Sequence, residues 1–396
     1  MIQSGTFWAV LALAVPLYWW IPRKWRPGFL TLISFGYLAS LTVRSTLAVT
    51  AWSLLFFYGA RLVRGESRSA QRALVALILG VLAFLGAFKY IPPIVAALGG
   101  ESLVGRVLVP IGISYYVFKL IHYAVEVHRD TLEPHSLLEF LGFMLWFPIF
   151  TAGPIERFDQ YLAKQEEAWE LQSMVEGGTR IVHGLIKKLV LAEVILVSLY
   201  GDIPNGGVLL EQLPDLSTPR VWGFLLVTYL YFYLDFSAYT DIAIGCSRLF
   251  GLRIMENFRF PIIANSIGDF WRRWHLSLSR WVQYYIYLPV MALTRKPYLS
   301  ALAAFTVIGL WHAGTLLRLS WGLYHFAGVA IFMIWNLVKR KRKWRFVENA
   351  FGWRAAAILV TQLFVTGSMS LLVVEEYGGL GSAVRVLAKL LFVDVP

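Results

Sequence analysis

Twelve apolar stretches follow one another along this chain with little polar sequence between them: residues 5–21, 28–43, 46–61, 73–98, 107–127, 137–153, 178–200, 219–247, 261–290, 299–315, 316–338 and 354–375. A helix needs about 20 predominantly apolar residues to cross the hydrocarbon core of a bilayer. In hydrocarbon every backbone N–H and C=O must be satisfied within the chain, so stretches of this kind form helices. Composition agrees. Of the 396 residues, 58% are apolar and 15% charged, against roughly 45–50% and 25% in a soluble domain. There are too few charged side chains to clothe a water-soluble surface, and so apolar a chain is not disordered. The sequence reads as an all-α polytopic membrane protein. Several stretches are short or broken, which predicts about eleven transmembrane or re-entrant helices bent around a central cavity. They are expected to form one integral domain over 1–396.

The net charge is +12, and the basic residues gather between apolar stretches: Arg23, Lys24 and Arg26; Arg61 to Arg72; and Lys339 to Arg345, where six of seven positions are basic. Only Arg44 lies between the second and third stretches. The positive-inside bias places the three clusters on the cytoplasmic face and the N-terminus outside. The run 5–21 resembles a signal peptide, but its positive charges follow it and no small-residue cleavage site appears, so it reads as a first membrane helix. No basic face with interleaved aromatics lies on a soluble module, so nucleic acid is not an expected partner. The lipid bilayer is, with each basic side chain near an anionic surface contributing about 1 kcal/mol. The lone Cys246 excludes intramolecular disulfides and cysteine-based metal frameworks, and reads as a buried packing residue.

Some segments depart from simple spans. In Leu145 to Arg157 two prolines and a glycine interrupt an apolar helix whose start is marked by a capping box, Ser136 to Glu139. Broken backbone at membrane depth must be buried in protein or line a watery cavity. Ile203 to Pro219 reads as an extramembrane loop. Ionisable residues in apolar stretches are costly, about 3 kcal/mol each on insertion scales, which makes Asp235 and Asp241 candidate functional residues. Pairing with Arg248, Arg253 or Arg259 is the structural alternative. Residues 268–283 fit an amphipathic interfacial helix, with Trp271, Trp274, His275, Leu278, Trp281 and Val282 on one face and Arg272, Arg273 and Arg280 pointing away. A second histidine, His312, lies in the apolar run Ile308 to Gly314. As isolated residues, His275 and His312 fit a packing role and an acid–base role alike. His325, His122 and His128 are weaker candidates, and His183 and His135 weaker still. No metalloprotease, Walker, dinucleotide or serine-hydrolase motif is present, so no bound metal or cofactor is expected.

Taken in order, Gly153 to Arg157, Asp235 to Gly245, Glu256 to Phe258, Phe270 to Trp281 and Gly309 to Gly314 resemble the membrane-bound O-acyltransferase superfamily. Within it, the chain is similar to the bacterial branch of alginate O-acetylation proteins and D-alanyl-lipoteichoic acid transferases. The resemblance runs from about residue 5 to residue 340, its motifs concentrated in 145–325. It differs from that branch in Tyr284, where relatives usually carry Asp, and in Ala313, where Gly is usual.

The resemblance implies an O-acyltransferase. A cytoplasmic thioester donor, such as acetyl-CoA or an acyl carrier protein, would pass its acyl group through a membrane tunnel to a hydroxyl of a cell-envelope polysaccharide. Acetyl is the favoured acyl group. D-alanyl transfer from a carrier protein to teichoic acid is the alternative within this chemistry, and a non-enzymatic acyl conduit or transporter the alternative outside it. The implied setting is a bacterial cytoplasmic membrane, with an extracytoplasmic acyltransferase or the acceptor glycan as partner. By motif position His312 and His275 are the implied catalytic residues, and Trp274, Ser279, Trp311, Asp235 and Tyr239 the implied substrate-binding ones.

The charge pattern yields a direct test. A cysteine at position 341 should resist an impermeant thiol reagent added from outside the cell, and efficient labelling there would refute the orientation.

Overall fold

A computed structural model describes residues 4–97, 111–163, 168–343 and 350–393. Residue 98, residues 107–110 and Arg345, which belong to expected spans or to the basic run, lie outside them. Among the described residues the regular elements are helices. Five are long and apolar enough to cross a membrane: Val43–Val63, Arg68–Lys89, Thr218–Leu249, Leu316–Lys341 and Phe351–Val373. Gly5–Trp20, Leu137–Ile149 and Pro297–His312 are shorter apolar helices. Their surfaces expose Val75, Leu79, Leu82, Ile331, Ile334, Leu359 and Val360. Large apolar side chains spread along whole helices in this way suit hydrocarbon rather than water.

Contacts gather the chain into two compact units, Met1–Leu185 with Ala238–Glu256, and Ile186–Ser237 with Asn257–Pro396. Both are discontinuous in sequence, so neither is a detachable module, and Thr218–Leu249 supplies residues to each.

In the first unit the capping box is complete: Ser136 and Glu139 satisfy each other's backbone amides at the start of Leu137–Leu145. The helix then stops, and the chain continues through a tight turn at Phe147–Ile149 and a cis Gly153–Pro154 bond. Backbone groups freed by the break need partners. Tyr239 supplies them. Its hydroxyl donates to the Pro148 carbonyl (3.1 Å), accepts from the Ala152 N–H (3.2 Å) and bonds the Thr151 hydroxyl (2.9 Å). Leu171–Leu185 packs on the end of the long helix, where a Cβ at Gly245 would lie 2.6 Å from the Gly177 carbonyl oxygen. Ion pairs flank this close approach, Arg248 to Glu176 (3.0 Å) and Arg180 to Asp241 (2.7 Å). Cys246 is buried there, as expected.

In the second unit the expected loop 203–219 contains a helix, Gly206–Gln212, whose first amides are capped by Asn205 at 2.9 and 3.1 Å. The stretch 261–290 forms neither one span nor the amphipathic helix expected over 268–283. It is divided into Pro261–Ile263, Ile267–Trp271, Leu276–Val282, a widened π-helical turn at Gln283–Tyr287, and Leu288–Thr294. The break has a clear cause. A continuous helix would bond the Leu276 and Ser277 amides to the carbonyls four residues earlier. Instead the Leu276 N–H donates to the Asn257 carbonyl (2.9 Å), and the Ser277 N–H to the Asn257 side-chain oxygen (3.2 Å). The Arg273 carbonyl, released from the helix, accepts the Arg259 N–H (2.9 Å).

Pro297–His312 and Leu316–Lys341 form an antiparallel hairpin, with residue 309 opposite 318 and 305 opposite 322. Gly309 and Gly322 let the backbones meet: a Cβ at Gly309 would lie 2.5 Å from the Arg318 carbonyl oxygen and 3.3 Å from the Gly322 Cα. Small residues at such crossings are the usual means of close helix approach in membranes. Gly309→Val should therefore lower stability by about 1–3 kcal/mol through overpacking, read as a fall in thermal midpoint of the purified protein. An unchanged midpoint would show that the hairpin does not depend on this contact.

Candidate active site

His275 sits at the junction of two short helices, with φ 44° and ψ 56°. This left-handed conformation costs a residue with a Cβ about 1–2 kcal/mol, and Asn257 holds it in place through the two amides that follow. The imidazole is 2% exposed. The Phe236 ring meets it edge-on at 4.8 Å, and the Trp311 ring lies 6.1 Å away. Trp274 beside it stacks on Phe270 (5.5 Å, 18°) and meets Phe258 at 5.1 Å. Ser279 ties the next turn back, its N–H donating to the His275 carbonyl (2.9 Å) and its hydroxyl to the Trp274 carbonyl (3.2 Å).

His312 ends Pro297–His312 and is exposed, whereas Trp311 before it is buried. The Trp311 ring is 4.7 Å from His312 and 6.1 Å from His275, so one indole links the two histidines. The turn after His312 is pinned by Glu375, which accepts from Thr315 Oγ1 (2.9 Å) and from Arg318 Nε (2.7 Å).

The structure adds Trp321, which the sequence reading passed over, and brings in His325, which that reading ranked among the weaker candidates. Trp321 meets His312 edge-on at 5.4 Å, and His325 lies 4.7 Å from Trp321 and 5.1 Å from Trp271. Trp321 and His325 are four residues apart on one helix, a spacing that places them on the same face. Combined with the three-residue turn between the hairpin helices, that spacing was the available signal.

His275, Trp274, Ser279, Trp311 and His312 thus lie together in the second unit. Asp235 belongs to the same unit but is engaged elsewhere, paired with Lys188 (2.5 Å), which also holds Glu193 (2.6 Å). Asp241 and Tyr239 lie in the first unit, Asp241 paired with Arg180. The ion-pair alternative holds in kind for both aspartates, with Lys188 and Arg180 as partners. The cations come from 171–196, a segment distant in sequence, and Arg248 pairs with Glu176 instead. Arg272 and Arg280 do point outward, and Arg273 folds back on Asp269 (2.9 Å). A separate cavity of about 580 Å³, lined by Asn265, Arg272, Trp335, Lys339, Trp353 and Arg354 among others, includes neither histidine.

An exposed imidazole at a helix end can exchange a proton with an incoming hydroxyl. A buried one held by rings can only orient or relay. This pairing of accessible and fixed histidines falls inside a sequence match to the membrane-bound O-acyltransferase model that extends over residues 38–372. The chain belongs to that family.

Among its relatives is a probable alginate O-acetylase, AlgI, of Azotobacter vinelandii, 34% identical over 81% of this chain and 66% of the relative. A teichoic acid D-alanyltransferase of Bacillus subtilis is 26% identical over 80% of this chain and 82% of the relative. A peptidoglycan O-acetyltransferase of Helicobacter pylori is 27% identical over 81% and 66%. This member of the family therefore spans slightly under two thirds of the length of the Azotobacter and Helicobacter relatives. It is a multi-pass membrane protein.

Strain at His275 makes its own prediction. His275→Gly and His275→Ala remove the same imidazole, but glycine accepts positive φ without penalty. The glycine variant should be the more stable by about 1 kcal/mol, measured as thermal midpoints of the purified variants. Equal midpoints would mean that the conformation relaxes when the imidazole is lost.

Proposed function

We propose that this chain is an O-acyltransferase carrying an acyl group, with acetyl favoured, from a cytoplasmic thioester to a hydroxyl of a cell-envelope polysaccharide. The observation that carries the reading is the exposed His312, ending a helix within the family match and joined through Trp311 to the buried His275. His312 takes the proton of the acceptor hydroxyl as its oxygen adds to the thioester carbonyl. The C–S bond then breaks, and the proton passes to the departing thiolate, giving ester and thiol. A positioned base of this kind contributes about 10²–10⁴ in rate. His275 orients the acyl carbonyl or the acceptor by hydrogen bonding, and Trp274, Ser279 and Trp311 line the acyl path. Asp235 and Tyr239, engaged in an ion pair and in the strap across the broken segment, act by positioning.

On this reading the chain works as one integral domain of a bacterial cytoplasmic membrane, with about eleven membrane segments around a tunnel. The donor is acetyl-CoA or an acyl carrier protein, and an extracytoplasmic acyltransferase receives the group or presents the acceptor. D-alanyl transfer to teichoic acid is the second reading. The favouring observation is the length match to the Bacillus transferase, 82% of which is covered.

His312→Ala should insert normally yet lose about 3–5 kcal/mol of transition-state stabilisation, and His275→Ala should lose less. Polysaccharide O-acylation in membranes at matched expression measures both. Near wild-type transfer by His312→Ala would place the base elsewhere.

A further inference from the structure

Leu316–Lys341 and Phe351–Ser368 meet where the Tyr324 ring stacks on Phe364 (4.4 Å, 24°) and its hydroxyl donates to the Phe364 carbonyl (3.0 Å). One turn on, a Cβ at Gly328 would lie 2.5 Å from the Phe364 ring, so glycine alone permits the contact. Beyond it the cavity of about 580 Å³ opens between the two helices, with Asn265, Ser266 and Arg272 on a third side. Gly328, Phe332, Trp335 and Lys339 line one wall. Arg354, Ala357, Val360 and Phe364 line the wall opposite. Steps of three and four residues make each wall a single helix face. Ile331 and Val360 at the edge are exposed, so the cavity is open to the side.

Depth and charge specify an occupant. Lys339 follows Gly328 by eleven residues, about 16 Å at 1.5 Å per residue. The hydrocarbon core is about 30 Å thick, so the slot is one leaflet deep. Its closed end, at Gly328 and Phe364, is apolar. Its mouth carries Arg272, Lys339 and Arg354, and no Asp or Glu is among the lining residues. Arg272 is 3.7 Å from Asp269, which lies outside the lining. Trp335 and Trp353 flank the mouth, and indoles favour the headgroup level of a bilayer. A nucleotide or free phosphate would engage the cations and leave the slot unfilled. A neutral lipid would fill the slot and leave the cations unmatched. An amphiphile with an anionic head satisfies both.

We propose that this cavity holds one anionic glycerophospholipid from the leaflet at the Lys339 end. Its phosphate lies among Arg272, Lys339 and Arg354, and one acyl chain runs along the slot toward Phe364. By the charge pattern this is the cytoplasmic leaflet, whose anionic lipids attract basic side chains. Arg272 lies three residues before His275, so the lipid head rests on the segment that carries the buried histidine. The proposal does not depend on the acyltransferase reading.

The test titrates the full chain, in neutral detergent, with dioleoylphosphatidylglycerol or dioleoylphosphatidylcholine and counts bound lipid by native mass spectrometry. Wild type should bind one phosphatidylglycerol at least about tenfold more tightly than phosphatidylcholine. Arg272→Gln, Lys339→Gln and Arg354→Gln should each weaken phosphatidylglycerol about fivefold and leave phosphatidylcholine unchanged. Arg340→Gln, at the same helix end but outside the lining, should change neither. Ala357→Trp fills the slot with the charges intact and should weaken phosphatidylglycerol about tenfold; Val360→Trp, at the exposed edge, tests the same point if Ala357→Trp does not accumulate. Equal affinity for the two lipids, or an equal loss in Arg340→Gln, would overturn the site in favour of diffuse attraction to a basic surface. Full binding by the slot-filling variants would overturn the seat of the acyl chain. Displacement of phosphatidylglycerol by coenzyme A would overturn the lipid as occupant and give the cations to the phosphates of a thioester.

Discussion

The Leu276 and Ser277 amides bond to Asn257 and not to the helix that precedes them, and the arrangement of the second unit follows from that substitution. Were those N–H groups returned to the helix, residues 267–282 would run on as one rod and His275 would sit on its side. With the amides withdrawn, the chain turns at His275 and presents the imidazole to Phe236 and Trp311. Asn257 is wholly buried. At such depth a backbone donor can leave its helix only if another acceptor waits for it, and one asparagine offers two.

Much of this architecture is legible in the residues. The capping box at Ser136 and the breaks at Pro148 and Pro154 announce a helix that starts firmly and stops early, because local chemistry alone decides both. Long apolar runs locate, for the same reason, the five described helices that are long enough to cross a membrane. The break at His275 is not legible from periodicity. The Trp271 to Val282 pattern fits a helix face well, and what cancels the helix is an acceptor 19 residues before Leu276. Nearness in sequence suggested Arg248, Arg253 and Arg259 as partners of the two aspartates, and it does not reveal Lys188 and Arg180. The cations that reach them, Lys188 and Arg180, lie on a segment about 50 residues earlier, brought alongside by packing. The two histidines of the site were visible through their motifs, whereas Trp321, and the place of His325 beside it, emerge only once the hairpin is closed.

Polar groups in so apolar a chain are arranged by use. Where they hold helices together they are paired, as Glu176 with Arg248 and Arg180 with Asp241. Where they repair a broken helix they are saturated, as the Tyr239 hydroxyl is by three neighbours. Around Trp321, the indole nitrogens of Trp271 and Trp321 and the Nδ1 of His325 have no hydrogen-bond partner among the described residues.

The glycine contact between the two helices of the hairpin has a mechanical consequence. His312 ends one helix, and Trp321 and His325 ride on the other, while Gly309 and Gly322 leave no side chain between the backbones to act as a cushion. Soft side chains let neighbouring helices slide; backbone pressed on backbone does not. The spacing from His312 to the Trp321 cluster is therefore a fixed gauge. On the acyltransferase reading proposed above, any motion that admits a donor or releases a product carries the hairpin as one piece.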